Sequence, residues 1–152
     1  MGGLHSRLRR RKLTVAAAES CTGGLLAAVL TAHRGASAYF KGGAVVYSNE
    51  AKTILAEVAP DLIHGHGAVS SVVAGALARG ARARLGAKIG LGVTGIAGPG
   101  GATPGKKVGL TYVAVDSDEH SAVRKYEWPY DREGNRLASV GAALDLLEKA
   151  IE

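Results

Sequence analysis

The chain has 152 residues, of which 47% are hydrophobic, 21% charged and 5% aromatic, and it carries a formal net charge of +6 at pH 7. This length suffices for one domain whose core needs no disulfide or metal ion, and a single cysteine excludes a disulfide framework. Glycine or a charged residue interrupts each apolar run before it reaches the roughly 18 residues of a membrane span, so we expect no membrane contact.

Strand-like and helix-like patterns alternate along the chain. Short apolar runs predict strands, and apolar residues spaced three or four apart predict helices. The clearest helix, at 70–85, places alanine, leucine and valine on one face and Arg79, Arg82 and Arg84 on the other. In chain order, the predicted elements are a strand at 13–18, a helix at 22–32, a strand at 44–47, a helix at 50–58, the helix at 70–85, a strand at 89–93, strands near 108–115 and 122–128, and a final helix from about 133 to 151.

This alternation predicts an α/β fold with helices on both faces of a mixed, largely parallel sheet. The last two strands are joined by the segment DSDEH and are predicted to form an antiparallel hairpin. No repeat or linker interrupts the pattern, so residues 1–152 are expected to form a single domain.

Much of the excess positive charge lies in the segment RLRRRK, from Arg7 to Lys12. Such a cluster attracts nucleic-acid phosphates, but the chain has few aromatic side chains on which bases could stack. A nucleic-acid partner is therefore not expected, and we interpret the segment as a solvated basic helix end or tail. Removing residues 1–10 should leave activity largely intact.

The N-terminal segment lacks the cleavage pattern of a secretory signal, so a cytoplasmic protein is expected.

Polar segments follow three of the predicted strands. They are ESCTGG after the first strand, YSNEAK after the second and TGIAGPGG after the strand at 89–93. In open α/β sheets, ligands bind where strand ends meet loops and helix N-termini. The three segments are therefore predicted to lie at a binding site.

Ser20 lies in the first of these segments, at a strand-to-helix turn. Unpaired backbone N–H groups and the positive end of a helix dipole favour a nucleophile with an oxyanion hole beside it. Gly23 and Gly24 would let the backbone approach a ligand closely. The alternative is that Ser20 or Thr22 caps the following helix, as serine and threonine before an apolar run usually do.

A serine nucleophile needs a base, and the histidines do not provide an evident one. None of His5, His33, His64, His66 and His120 lies in a segment that clearly returns to the end of the first strand, and the nucleophile-elbow motif Gly-x-Ser-x-Gly is absent. His64 and His66 lack a third ligand at a clear spacing. We interpret them as loop residues and expect no metal.

Lys52 is a different candidate base. A lysine partly buried at a sheet end, near a helix N-terminus, has its ammonium form disfavoured and can then accept a proton. Tyr47 could orient it or relay the proton, and Ser48 or Asn49 could cap its helix. Taken alone, Tyr47 and Lys52 are also typical of a strand-edge aromatic residue and a solvated helix residue. Their combination with Ser20 carries the interpretation.

Four segments together resemble a known family. AESCTGGLL, YSNEAK, HGAVS and TGIAGPGG followed by KKVGLTYVAV are similar, in this order, to motifs of the C-terminal domain of the CinA competence/damage-inducible protein family, over about residues 4–151. The stand-alone PncC form of this domain is a nicotinamide-nucleotide amidase. We expect the stand-alone form, without a molybdopterin-binding-like domain before the motifs.

The resemblance implies an amidohydrolase that converts nicotinamide mononucleotide (NMN) and water to nicotinate mononucleotide and ammonia in pyridine nucleotide salvage. It also implies a three-layer α/β/α sandwich, a homodimer or larger homo-oligomer, and neither metal nor cofactor. By motif alignment, Ser20 is the nucleophile, with Tyr47 and Lys52 as the other catalytic residues. Substrate contacts are expected from Cys21, Thr22, Gly23, Gly24, Ser48, Asn49, Thr94, Gly95, Ala97, Gly98, Arg132 and Arg136.

Arg132 and Arg136 are the candidate phosphate partners, since a guanidinium binds phosphate bidentately. The sequence departs from the family here, because WPYDR stands in place of the more usual Phe-Pro-Gly-Asp-Arg, and Lys107 replaces a common proline.

Two alternatives to the amidohydrolase stay open for the function of the chain: a non-catalytic nucleotide-binding or regulatory module, and a basic nucleic-acid-associated module.

Cys21 is the other candidate nucleophile, since a helix N-terminus lowers the pKa of a thiol. Consecutive residues at a strand end point to opposite sides, so only one of Ser20 and Cys21 can readily face the lysine. We favour Ser20 and expect Cys21 to behave as a small buried apolar residue.

Overall fold

A computed structural model of the protein describes residues 2–152, with one sheet and helices on both of its faces. The strands are β1 (Val15–Glu19), β2 (Phe40–Val45), β3 (Ile89–Gly95), β4 (Leu110–Ser117) and β5 (Ser121–Glu127). The helices are α1 (Gly2–Arg10), α2 (Leu25–Leu30), α3 (Asn49–Ala56), α4 (Pro60–His66), α5 (Ser71–Leu85) and α6 (Arg132–Ala150), with a 3-10 helix at Ala36–Ala38. None of the helices in this range combines the length and apolar character needed to cross a bilayer.

The strands lie in the order β2-β1-β3-β4-β5. β1 pairs in parallel with both β2 and β3, whereas β4 pairs antiparallel with β3 and β5. Glu19, the last residue of β1, is in register with Val45 of β2 and Val93 of β3. Because parallel strands run in one direction, the carboxyl ends of these three strands meet at one edge of the sheet. The predicted mixed α/β sheet and the hairpin of β4 and β5 are confirmed.

Side chains of β1 alternate between two helical layers, as the pleat of a strand requires. Ala17 faces a core that the sheet shares with α1, α2 and α6, while Ala16 and Ala18 face α3, α4 and α5. The largest side chains that these cores bury completely include Leu8, Leu26, Leu30, Leu77, Leu91, Leu147 and Val46. The fold is therefore the three-layer α/β/α sandwich that the resemblance implied.

Two glycines let α5 pack closely against β3. A Cβ atom on Gly90 would lie 1.9 Å from the carbonyl oxygen of Ala78, and one on Gly92 would lie 2.4 Å from that of Ala74. Larger residues at these positions would push the helix away from the sheet. α5 buries Ala74, Leu77 and Ala78 and exposes Arg79 and Arg84, as its sequence predicts. Arg82, which was predicted on the same outer face, is instead partly buried, because it pairs with Asp116 of β4.

The basic N-terminal segment is a docked helix and not a free tail, which corrects part of its interpretation. Leu4 and Leu8 of α1 are 3% and 0% exposed in the core, because residues four apart lie on one helix face. The basic side chains lie toward solvent, where Arg7 pairs with Glu148 of α6. Loss of this helix would expose apolar surface of the sheet layer beneath it.

The segment that contains His64 and His66 is also helical, although a loop was expected. α4 has only seven residues and includes a glycine, so its apolar pattern is too short to stand out. Pro60 in its first turn and the buried Ile63 account for its position. Both histidines are exposed in its last turn. Within residues 2–152, no three His, Cys, Asp or Glu side chains are grouped so that they could hold a metal ion.

Strand β2 is displaced from its predicted position. It covers Phe40–Val45 instead of 44–47, since Gly42 and Gly43 hide its first half from the apolar pattern. Tyr47 consequently lies beyond the end of the strand. Apart from the start of α2, the other predicted ends differ from the observed ones by no more than two residues.

We expect Leu8→Ala to lower the free energy of unfolding by about 2–5 kcal/mol, because this fully buried side chain would leave a cavity between α1 and the sheet. Leu137→Ala is the control, since Leu137 is 53% exposed on α6 and its loss should cost less than about 0.5 kcal/mol. Urea unfolding followed by circular dichroism measures both values. Equal effects of the two substitutions would show that α1 is not docked.

Candidate active site

The turn from Ser20 to Gly24 links the end of β1 to α2. The Ser20 N–H donates to Val93 O at 2.9 Å, which extends the pairing of β1 with β3, and the Gly23 N–H donates to Ser20 O at 3.1 Å. Gly23 and Gly24 have φ angles of 59° and 100°, a conformation that glycine adopts without steric cost. This turn replaces the first residues of the helix that was predicted to begin at residue 22.

Glu19 caps α2 from the end of β1. Its carboxylate accepts hydrogen bonds from the Leu26 N–H at 2.8 Å and the Ala27 N–H at 3.0 Å. The residue at the N-cap position makes no side-chain hydrogen bond of its own. The alternative that Ser20 or Thr22 caps this helix is therefore wrong.

Lys52 lies in α3, is 2% exposed and contacts Ser20. Its Nζ atom lies 3.3 Å from Ser20 Oγ and donates to the carbonyl oxygens of Val46 at 2.9 Å and Tyr47 at 3.3 Å. These carbonyls belong to the link between β2 and α3, so the end of β2 holds the lysine against the end of β1. A solvated helix residue, the alternative for Lys52, is excluded by this burial.

Burial lowers the pKa of Lys52 from its ordinary value of 10.5, because loss of water disfavours the ammonium form. Negative charge on Cys21 or Glu50 opposes this shift. A larger fraction of Lys52 is therefore neutral near pH 7 than of an exposed lysine, as a general base requires.

Tyr47 is 61% exposed at the edge of this site. Its hydroxyl accepts a hydrogen bond from Arg132 Nη2 at 3.3 Å, while Arg132 Nη1 donates to Gly98 O at 2.8 Å. Tyr47 thus contacts Lys52 through its carbonyl oxygen, and its hydroxyl connects the link between β2 and α3 to the start of α6.

A cavity of about 270 Å³ lies at the carboxyl ends of β1, β2 and β3. It includes the three predicted catalytic residues, Ser20, Tyr47 and Lys52. The predicted substrate-contacting residues that line it are Cys21, Asn49, Thr94, Gly95, Ala97, Gly98 and Arg132. The three polar segments are therefore brought together, as expected for strand ends of an open sheet. A larger cavity of about 610 Å³, beside α3 and α4, includes neither Ser20 nor Lys52.

Residues without a predicted role also line this cavity: Ala68, Val69, Ile96, Gly100 and Gly101. Thr94 Oγ1 donates to Ala68 O at 2.8 Å, and Lys106 Nζ donates to Val69 O at 2.7 Å. These bonds hold the segment before α5 against the end of β3 and the loop that follows it. The only sequence signal for this segment is HGAVS, one of the motifs that carry the family resemblance.

The family model described as the CinA C-terminal domain matches residues 2–151. The chain belongs to the CinA C-terminal domain family. A CinA-like protein from Acidobacterium capsulatum is 51% identical over 144 residues, which are 95% of this chain but 35% of that protein, so the chain spans about a third of its length.

Solved structures agree with this membership. The competence/damage inducible protein CihA from Agrobacterium tumefaciens is 37% identical, with a TM-score of 0.91 over 98% of this chain and 93% of its own. A CinA superfamily protein from Escherichia coli is 30% identical, with a TM-score of 0.93 over 97% of this chain and 86% of its own. The α/β/α arrangement of this CinA domain is thus the fold of its solved relatives.

Some predicted contact residues of this CinA domain do not line the cavity: Thr22, Gly23, Gly24, Ser48 and Arg136. Thr22 is fully buried, and Ser48 Oγ caps α3. Arg136 donates from Nε to Cys21 O at 3.2 Å and from Nη2 to Thr22 O at 3.1 Å. Of the two arginines predicted to bind phosphate, Arg132 therefore lines the cavity and Arg136 holds the turn after β1.

Cys21 lines the cavity of the CinA domain but is only 7% exposed. Burial raises the pKa of its thiol to about 11, and the Glu19 carboxylate adds to this shift. Its backbone N–H and the charges of Arg136 and Lys52 oppose the shift. Because a thiol attacks as the thiolate, Cys21 is a poor nucleophile near neutral pH.

We expect iodoacetamide to alkylate Cys21 slowly in the folded protein and rapidly after unfolding in guanidinium chloride, since unfolding returns the thiol to water. In the folded protein, the rate should keep rising with pH up to about 11, because the thiolate fraction rises through the pKa. Intact-mass spectrometry at a series of pH values measures this rate. A rate that levels off near the ordinary thiol pKa of about 8.5 would contradict the expectation.

Proposed function

We propose that this CinA domain is an amidohydrolase that converts NMN and water to nicotinate mononucleotide and ammonia through a Ser20 acyl-enzyme. The observation that carries the proposal is the 3.3 Å contact between Ser20 Oγ and Nζ of the buried Lys52. A serine hydroxyl becomes an effective nucleophile when an adjacent base takes its proton. The family resemblance supplies the identity of the substrate.

The contacts of Lys52 suit a neutral amine that accepts the Ser20 proton. A neutral amine has two N–H bonds and one lone pair. When its N–H bonds point to the two nearer carbonyl oxygens, those of Val46 and Tyr47, and not to Ser48 O at 3.5 Å, the lone pair is left for the Ser20 hydroxyl. In the proposed reaction, Ser20 Oγ bonds to the carboxamide carbon while its proton moves to Lys52. Lys52 passes this proton to the carboxamide nitrogen as the C–N bond breaks, and ammonia leaves. Lys52 then takes a proton from water as the water oxygen attacks the ester carbon, and returns it to Ser20 Oγ as the ester bond breaks.

Backbone N–H groups of the turn after β1 support the assignment of an oxyanion hole. The Ser20 N–H donates to Val93 O, whereas the N–H group of Cys21, which lines the cavity beside Ser20, has no oxygen acceptor within residues 2–152. Fixed N–H donors stabilise the negative charge that develops on the carbonyl oxygen in the transition state. We assign the oxyanion contacts to this turn.

The charges around the cavity support an anionic nucleotide as substrate. In the described part of the chain, no Asp or Glu lines the cavity, whereas Lys52 and the exposed Arg132 do. This distribution favours a phosphate beside Arg132. The positive charge of the pyridinium ring in NMN withdraws electrons from the carboxamide, so its carbonyl carbon is more readily attacked.

From the family resemblance we also propose that residues 1–152 form one cytoplasmic domain that self-associates as a homodimer or larger homo-oligomer. The reaction as proposed uses neither metal nor cofactor. The solved relatives are named for competence and damage induction, and those names specify no reaction.

Purified protein incubated with NMN is expected to release ammonia and nicotinate mononucleotide, which a coupled ammonia assay and chromatography measure. Ser20→Ala should lower kcat by about three orders of magnitude or more, because the nucleophile is removed. Cys21→Ala, the control at the neighbouring position, should retain most activity. Tight NMN binding without ammonia release by the wild-type protein would support the alternative of a non-catalytic nucleotide-binding module.

We expect kcat to rise with pH along a limb that reports loss of the Lys52 proton. Its midpoint should lie below 10.5, because burial lowers this pKa. Lys52→Met should remove the limb and lower kcat by about 100- to 10,000-fold. Lys125→Met, which removes an exposed lysine on β5, should leave both unchanged. Persistence of the limb in Lys52→Met would exclude Lys52 as the base.

A further inference from the structure

Glu19 has no part in the proposed proton transfers, yet it is 1% exposed beside Ser20. Its two carboxylate oxygens accept hydrogen bonds from the N–H groups of Leu26 and Ala27, and no cation pairs with it within residues 2–152. A buried carboxylate without a cation is costly, but the N-cap residue Gly24, with a φ of 100°, offers no side chain that could cap α2 in its place. What Glu19 adds is a direct tie from β1 to α2 across the turn that carries Ser20.

Arg136 holds the same turn from α6, through the carbonyl oxygens of Cys21 and Thr22. The carbonyl and the N–H of one planar trans peptide point in opposite directions, so a fixed Cys21 carbonyl also fixes the direction of the Thr22 N–H. A Cβ atom on Gly23 would lie 3.3 Å from Arg136 Nη2, which shows that the guanidinium packs directly on the turn.

We propose that Glu19 and Arg136 are positioning residues that fix the turn after β1 and so hold Ser20 in place for attack, an inference that rests on the proposed function. Glu19 sets the position of Ser20 relative to α2, and the bond from the Ser20 N–H to Val93 O sets it relative to β3. Arg136 sets the direction of the turn amides. Neither side chain lines the cavity, so both act through the turn.

Glu19→Gln and Arg136→Met test this proposal against Asp116→Asn and Arg82→Met as matched controls. Glu19→Gln keeps the side-chain volume but turns an amide NH2 group toward a backbone donor. Arg136→Met keeps an unbranched side chain and removes both donors. Arg82 and Asp116 form a partly buried ion pair, 3.1 Å apart, that joins α5 to β4. Asp116 pairs with the second residue of β3, at the opposite end of the sheet from the cavity.

Three quantities are measured for each variant: kcat and KM for NMN, the urea midpoint of unfolding, and the rate at which phenylmethanesulfonyl fluoride labels Ser20. We expect kcat and the labelling rate to fall by roughly 10- to 100-fold in Glu19→Gln and Arg136→Met, because a small displacement of a reacting group costs about this much. KM should change by less than about threefold, since no cavity contact is lost. The controls should lose stability but keep wild-type kcat, KM and labelling rate.

Wild-type kcat and labelling rates in folded Glu19→Gln and Arg136→Met would overturn the proposal and leave both side chains a purely structural role. Labelling of wild-type Ser20 without NMN hydrolysis would defeat the proposed function, while the labelling rates of the variants would still decide this inference. A wild-type Ser20 that is neither labelled nor active would defeat both. If Arg136→Met does not fold, Arg136→Lys replaces it, because lysine keeps the charge but lacks the planar fork that reaches both carbonyls; it should fold and still lose kcat.

Discussion

The contact between Lys52 and Ser20 depends on the parallel pairing of β1 with β2. Ser20 follows the last residue of β1, and the carbonyls of Val46 and Tyr47 that hold the lysine follow the last residue of β2. Parallel neighbours bring these two strand ends to the same edge of the sheet, whereas an antiparallel pair would place them at opposite edges. β1 also lies inside the sheet, with all five of its residues buried. The same strand order therefore brings Ser20 and Lys52 together and buries them, at 7% and 2% exposure.

Burial of Lys52 reduces the stability of the fold. Because its pKa is lowered from 10.5 on folding, the folded protein binds fewer protons than the unfolded chain at pH values between the two pKa values. The unfavourable contribution to the free energy of unfolding is complete below the folded-state pKa and disappears as the pH rises toward 10.5. The two apolar cores on either face of the sheet offset this contribution. The lysine proposed as the base therefore destabilises the fold, and packing elsewhere in the domain compensates for it.

The parts of the structure that could be predicted from the sequence are those with long or local patterns. α5 and α6, with 15 and 19 residues, and the hairpin of β4 and β5 have such patterns, whereas α4 is too short and α1 places few leucines among basic residues. The proximity of Ser20, Tyr47 and Lys52 could be predicted because each follows a strand end. The hydrogen bond from Arg136 to Cys21 O could not be predicted, because the two residues are 115 positions apart and their contact depends on how α6 packs across the sheet.

Burial acts on Lys52 and Cys21 in the same physical way but with different chemical results. Removal of water disfavours the charged form of each group, so it lowers the pKa of Lys52 and raises that of Cys21 to about 11. An amine that loses its charge gains a lone pair and becomes a base, whereas a thiol kept uncharged loses its nucleophilic form. A serine hydroxyl is neutral in any case and needs only a base within reach; the proposed base, Lys52 Nζ, lies 3.3 Å from Ser20 Oγ. A site shielded from water therefore favours serine over the adjacent cysteine as the partner of the lysine.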